Sequence, residues 1–113
     1  VEYIDIYPTL CDLADLEQPA HLQGKSLSTL LTDVDAEHKH AVITRHGGGD
    51  AVRTDAYRYM EMRTNNGAGQ LRGVGVFDLQ NDPDENQNVA EDPTSAEVRG
   101  RLKGMLDAAR ETW

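Results

Sequence analysis

The sequence predicts an α+β fold, in which a small antiparallel sheet of three to four strands is packed by a C-terminal helix and preceded by one long and one short helix. Two changes in the spacing of apolar residues carry this prediction. The spacing is helical up to about residue 31, alternates as in a strand between residues 41 and 79, and is helical again after residue 92. Turn-forming residues separate the three regions, which supports the same division.

The long helix is predicted over residues 5–16. Asp5 is suited to cap its start, and Pro8 then falls in the first turn, where a missing N–H group does no harm. The segment Glu17-Gln18-Pro19 ends the helix. Its i, i+3, i+4, i+7 spacing predicts a buried face formed by Tyr7, Leu10, Cys11 and Ala14.

The short helix is predicted after Gly24, with Ser26 as its cap. Residues 32–40 are polar, and we expect them to form an exposed connection. This connection contains His38 and His40, which share a face if the segment is extended. No third defined ligand accompanies them, so the spacing predicts exposed histidines and no metal site.

The strands are predicted in the middle of the chain. A short β-prone segment covers residues 41–44, and residues 51–63 predict two strands, or one bent strand, about a Thr54-Asp55 turn. Asn65-Asn66-Gly67 is typical of a hairpin turn, because both central positions tolerate a positive φ. The return strand is predicted from Val74 to Leu79.

The last helix is predicted after Asp92, which is a good N-cap, with Pro93 at the first helical position. Charged residues lie outside its apolar stripe, as expected for a helix laid over one face of a sheet. The stripe comprises Val98, Leu102, Met105, Leu106 and Ala109.

Composition limits the function classes. The 113 residues suffice for one domain, but only 23 of them are Leu, Ile, Val or Phe, so the predicted core is thin. A thin core favours a piece that packs on something larger over a small, marginally stable free domain. The net charge of −9 argues against nucleic acid and anionic membranes as partners. A single cysteine excludes an internal disulfide framework, and no targeting or transmembrane segment is recognisable.

Residues that could carry chemistry are few. The serines all lie where helix capping explains them, so no Ser–His–acid set is predicted and we assign no catalytic residue. Arg45 and His46 precede Gly47-Gly48-Gly49, which predicts a flexible loop. A cation and an imidazole at a strand end could contact an anionic substrate. An ordinary surface loop is the alternative interpretation.

Four segments together resemble the C-terminal region of the sulfatase family, which belongs to the alkaline phosphatase superfamily. The four segments occur in the family's order and cover nearly the whole chain. The third segment, together with the loop lengths, favours the iduronate-2-sulfatase-like branch. The segments are Val1–Ala14 (VEYIDIYPTLCDLA), Gln23–Leu27 (QGKSL), Ala51–Tyr59 (AVRTDAYRY) and Phe77–Ala90 (FDLQNDPDENQNVA).

The resemblance implies a sulfate-ester hydrolase for a sulfated sugar or polysaccharide, in which residues 1–40 end the catalytic α/β domain and residues 41–113 form the C-terminal subdomain. It implies that Arg45 and His46 contact substrate. It also implies that formylglycine and Ca²⁺ belong to a preceding catalytic domain, which would be the chain's main partner, and that the protein is extracytoplasmic. Cys11 is not the formylglycine precursor, because Asp12-Leu13-Ala14-Asp15 follows it without an arginine at the required spacing.

Two other interpretations stay open at this point. One is a phosphonate or phosphodiester hydrolase of the same superfamily, whose metal ligands would also precede this chain. The other is a free-standing interaction module derived from the subdomain. Under the sulfatase interpretation we expect the 113-residue chain by itself to be inactive.

Overall fold

The structure, a computed structural model, describes residues 1–112. The chain divides into two compact units, Val1–His40 and a second unit that begins at Ala41. The first contains α1 (Ile6–Leu13), entered through a 3-10 turn, and α2 (Ser28–Thr32). The elements of the second are β1 (Val42–His46), β2 (Gly49–Arg53), β3 (Tyr57–Arg63), β4 (Leu71–Asp78) and α3 (Ala96–Arg110). The predicted α+β class and the C-terminal helix are confirmed.

The described strands form one antiparallel sheet in the order β1-β2-β3-β4, so each strand pairs with its neighbour in sequence. β1 and β2 are joined by a two-residue turn at Gly47-Gly48, in which Gly47 has a φ of 57°. The glycines therefore form a tight hairpin turn, where a flexible loop was predicted, and Gly49 already belongs to β2. β4 begins three residues earlier than predicted, because Leu71 pairs with Arg63 at the end of β3.

The core of the second unit lies between one face of the sheet and α3. Val52, Tyr59 and Val76 point to this side from three adjacent strands, and Leu102 and Leu106 cover them from α3. Asp92 caps the helical segment as predicted, since its carboxylate accepts a hydrogen bond of 2.9 Å from the Thr94 backbone N–H. The predicted stripe is narrower than expected, because Met105 is exposed.

The open edge of β4 is closed by the loop that leads to α3. The side chain of Asn88 bonds this edge twice: its Oδ1 accepts from Val76 N at 2.9 Å, and its Nδ2 donates to Val74 O at 3.1 Å. The next residue, Val89, donates its N–H to Val76 O at 2.9 Å. The loop thus satisfies backbone groups that an edge strand leaves unpaired.

The first unit is organised around Asp5, whose carboxylate is fully buried. It accepts hydrogen bonds from the backbone N–H groups of Glu2 and Lys25, at 2.9 and 2.8 Å, and from Lys39 Nζ at 2.5 Å. Burial alone would raise the pKa of Asp5, but these hydrogen bonds outweigh it and lower the pKa. One carboxylate therefore fastens three separate segments.

The predicted buried face of α1 is wrong for three of its four members. Cys11 is buried, but Tyr7, Leu10 and Ala14 are exposed. The buried side is set by a polar contact: Thr9 Oγ1 donates to Asp5 O at 2.6 Å and accepts from Leu27 N at 2.8 Å. The broad apolar stripe of the helix faces away from this contact.

Candidate functional site

Arg45 lies on β1 directly opposite Asp50 on β2. Its Nε and one terminal nitrogen donate to the two carboxylate oxygens of Asp50, at 2.8 and 3.3 Å. The Arg45 side chain is 48% exposed, whereas the Asp50 side chain is 3% exposed. The hydrogen bond from Arg45 is the main reason that the pKa of Asp50 is lowered; burial opposes it, and Arg110 adds to it. Arg45 is therefore a half-exposed cation held in one orientation.

His46, the other predicted contact, is exposed and lies opposite Gly49. Successive side chains of a strand point to opposite faces, and Arg45 shares its face with the residues that α3 covers. The structure thus brings the two predicted residues to the same strand end but places their side chains on different faces of the sheet. They cannot approach one group from the same side.

A buried charged network adjoins Arg45 and was not predicted. Arg110, near the end of α3, donates to Asp50 Oδ2 and to Glu61 Oε2, the shortest contacts being 2.7 and 2.8 Å. Glu61 is 1% exposed. It also accepts hydrogen bonds from the Tyr59 hydroxyl at 2.7 Å and from Arg63 at 2.9 Å.

The network keeps Glu61 ionised. Burial alone would raise the pKa of its carboxyl, but the hydrogen bonds from Tyr59, Arg110 and Arg63 lower the pKa to about 2. Burial and the bond to Glu61 raise the pKa of the Tyr59 phenol. Each oxygen of the two carboxylates has a hydrogen-bonding partner, so the network is suited to hold guanidinium groups in place.

One signal in the sequence could have revealed this network. Asp50 and Glu61 occupy strand positions that alternate in step with the buried Val52 and Tyr59. A carboxylate at a core position needs a buried cation, and Arg110 lies on the predicted last helix.

Other candidate groups carry structural roles. The Ser95 hydroxyl donates to Val89 O at 2.6 Å, and the Ser26 hydroxyl donates to Ser28 Oγ at 3.0 Å. The prediction that Ser26 caps the short helix is wrong, because Leu27 occupies the N-cap position of α2. Within residues 1–112, no group of three or more His, Cys, Asp or Glu is arranged to hold a metal ion. None of the described helices is long and apolar enough to cross a membrane.

Comparison with known proteins assigns this chain to a family. The family model described as "N-sulphoglucosamine sulphohydrolase, C-terminal" matches residues 1–112. A curated relative, the Delta 4,5-hexuronate-2-O-sulfatase of Bacteroides thetaiotaomicron, is 28% identical over 92% of this chain and 22% of its own length. The chain spans about a fifth of the length of the curated relatives it matches.

Solved structures show the same fold. A 2-O GAG sulfatase superposes with a TM-score of 0.76 and 29% identity, over 93% of this chain and 23% of that one. The phosphonate monoester hydrolase of Agrobacterium radiobacter superposes with a TM-score of 0.77 and 26% identity, over 96% of this chain and 25% of that one. The family model covers nearly every residue, so the chain belongs to the C-terminal family of N-sulphoglucosamine sulphohydrolase.

Proposed function

We propose that this chain is the C-terminal part of a sulfatase that hydrolyses sulfate esters of a sulfated sugar or polysaccharide. The observation that carries the proposal is the family match over residues 1–112. Curated relatives named as sulfatases, of which the chain spans about a fifth, support the same reaction class. On this proposal, residues 1–40 end the catalytic domain and residues 41–113 form the accessory subdomain.

The exposed side of α1 supports a larger protein. The large apolar side chains of α1 and of the residues just before and after it are closely spaced in sequence and half or more exposed at most positions, as at Leu10 with 57%. An apolar patch of this kind on a soluble protein marks a surface that another part covers. We propose that the catalytic domain covers it. The exposed residues are Tyr3, Ile4, Ile6, Tyr7, Leu10, Leu13 and Leu16.

The family relationship implies a formylglycine residue and a bound Ca²⁺. Residues 1–112 provide neither a suitable formylglycine precursor nor a set of Ca²⁺ ligands. Cys11, the one cysteine, is buried in α1 and lacks an arginine at the spacing that the modification motif requires. The described residues offer no set of three metal ligands. We propose that both groups belong to the part of the enzyme outside this chain, and that the chain's own residues serve binding and stability.

Arg45 is the residue of this chain best placed to bind an anionic substrate group. Its guanidinium is half exposed and oriented by Asp50, so little side-chain entropy is lost when it forms a further charge-assisted hydrogen bond. His46 is exposed on the other face and could contact a different part of the same substrate. We propose both as contacts to the sulfated sugar.

Two alternative functions are each supported by a specific observation. The likeness to a phosphonate monoester hydrolase favours hydrolysis of a phosphonate or phosphate ester by the complete protein. The separate core of the second unit would suit an interaction module. The family relationship also favours an extracytoplasmic location, secreted, periplasmic or lysosomal.

The coding sequence upstream of Val1 tests the proposal directly. A Cys-x-Pro-x-Arg or Cys-x-Ala-x-Arg motif within a few hundred codons supports the sulfatase. Metal ligands of a two-metal hydrolase there would favour the phosphonate alternative, and a gene that starts at this chain would favour the module. Turnover of an aryl sulfate or tight Ca²⁺ binding by the 113-residue chain alone would contradict the assignment of the chemistry to another part.

A further inference from the structure

Two of the three hairpin turns of the sheet, β1-β2 and β3-β4, lie together at one end, which we call the hairpin end and define as residues 42–49 and 62–73. The Arg63 backbone N–H donates to Gly48 O at 2.8 Å and so joins the two hairpins. A Cβ atom on Gly48 would lie 2.4 Å from Arg63 O, so this close approach requires glycine.

The hairpin end has a charge unlike the rest of the chain. The protein carries 20 Asp and Glu residues and a net charge of −9, yet neither stretch of the hairpin end contains an acidic residue. Four basic residues lie there instead: Arg45, His46, Arg63 and Arg72. The overall charge argues against an anionic partner, but the charge at this end favours one.

The acids nearest to these cations are buried and already neutralised. Within the described residues, the guanidinium groups of Arg45, Arg63 and Arg110 contact the two carboxylates of Asp50 and Glu61. Asp107 on α3 pairs with both Lys103 and Arg110. Arg63 uses Nε and one terminal nitrogen on Glu61, and its side chain is 27% exposed.

Arg72 is held at the surface by an irregularity in the sheet. Arg63 pairs with Leu71 and Met62 pairs with Gly73, so Arg72 is an extra residue in β4. A bulge of this kind redirects a side chain out of the regular pleat. Arg72 is exposed, and within residues 1–112 it forms no ion pair.

We propose that the hairpin end binds sulfate groups of a sulfated carbohydrate, with Arg63 and Arg72 as contacts in addition to Arg45. The choice of a sulfated sugar rests on the proposed function; the requirement for an anion rests on the charges. Two strand spacings separate β1 from β3, about 10 Å. Arg45 and Arg63 therefore suit two different sulfate groups, and the site selects a carbohydrate with at least two.

The test is isothermal titration of the whole 113-residue chain with a multiply sulfated oligosaccharide, the same oligosaccharide after desulfation, and a monosulfated form. We expect the multiply sulfated ligand to bind most tightly and the desulfated ligand not to bind. The affinity for the multiply sulfated ligand should fall as the salt concentration rises. Arg72→Gln should weaken binding about three- to tenfold. Gln70→Glu, which adds an acid at the hairpin end, should weaken it similarly.

Arg101→Gln is the matched control, since Arg101 is exposed on α3 and its loss changes the net charge equally. Equal binding of sulfated and desulfated ligand overturns the proposal, and so does equal weakening by Arg101→Gln and Arg72→Gln. Arg63→Gln is a second variant, interpreted with its melting curve because Arg63 contacts Glu61. If the chain binds the sulfated ligand but the complete gene product has no sulfatase activity, only the proposed function is contradicted. If the complete gene product is an active sulfatase but the chain does not bind the ligand, only this inference is contradicted.

Discussion

Arg110 donates two hydrogen bonds to Asp50 Oδ2, at 2.7 and 2.9 Å, across 60 residues of sequence. The contact ties the last turn of α3 to the second strand of the sheet. Arg110 also bonds Glu61 on the third strand at 2.8 Å. The helix is thus fastened by apolar packing in its middle and by a buried guanidinium at its end.

Arg110→Ala should lower the free energy of unfolding by about 3 kcal/mol, because it leaves two buried carboxylates with one cation fewer each. Urea unfolding followed by circular dichroism measures the change. Arg101→Ala, on the exposed side of the same helix, should change it by less than about 0.5 kcal/mol. Equal effects of the two variants would show that the network contributes nothing to stability.

The stability of the second unit should fall in acid. The pKa of Glu61 is lowered from 4.5 to about 2, so its contribution is complete above about pH 5 and is lost as the pH falls through 2. The shift corresponds to about 3 kcal/mol. Asp50, whose pKa is also lowered, acts in the same direction.

Urea midpoints between pH 7 and pH 2 check this dependence. Glu61→Gln should be less stable than the natural chain at pH 7 and should show a flatter profile, because one of the titrating groups is gone. Glu97→Gln, an exposed position on α3, should leave the profile unchanged. A natural chain whose midpoint is constant from pH 5 to pH 2 would contradict the description of the network.

Asn88→Ala should lower the free energy of unfolding by about 1–2 kcal/mol, since the backbone groups of Val74 and Val76 at the β4 edge lose their side-chain partner. Asn88→Asp keeps the acceptor and removes the donor, so an intermediate loss is expected. The side chain of Asn86 donates to Asp82 at 3.1 Å, and replacement of Asn86 by alanine is the control. Amide hydrogen exchange at Val76 should accelerate in Asn88→Ala and stay unchanged in Asn86→Ala.

The apolar side of α1 should not stabilise the isolated chain. Leu10→Gln and Leu13→Gln together should change its free energy of unfolding by less than about 1 kcal/mol, because both side chains are exposed and glutamine is a good helix former. The same pair should reduce binding of the dye ANS. In the complete gene product the pair should destabilise by several kcal/mol if the catalytic domain covers this side. An equal, small effect in both proteins would contradict the covering.

The sequence predicted features that depend on local chemistry. The change of period marked the sheet, the cap at Asp92 marked the start of the last helical segment, and the Asn65-Asn66-Gly67 turn adopts the positive φ values that these residues tolerate. The meander order followed because each connection is short.

Features that depend on a partner across space were not predicted. Strand alternation could place Glu61 on the core face, but no local pattern identifies Arg110 as its partner. The buried side of α1 depended on Thr9 and its contact to Leu27, not on the apolar stripe. Arg45 and His46 were predicted as a pair at the end of a strand. Both belong to β1, so the alternation of strand side chains places them on opposite faces of the sheet.

Sulfate release by the complete gene product is the decisive measurement for the assignment of this chain to a sulfatase. The enzyme, produced with the formylglycine modification, is assayed in parallel with an aryl sulfate, a sulfated oligosaccharide and an aryl phosphonate monoester. We expect sulfate release from the first two substrates at rates well above phosphonate hydrolysis, and a higher KM for the sulfated oligosaccharide in Arg45→Gln. Hydrolysis of the phosphonate ester without release of sulfate would contradict this assignment.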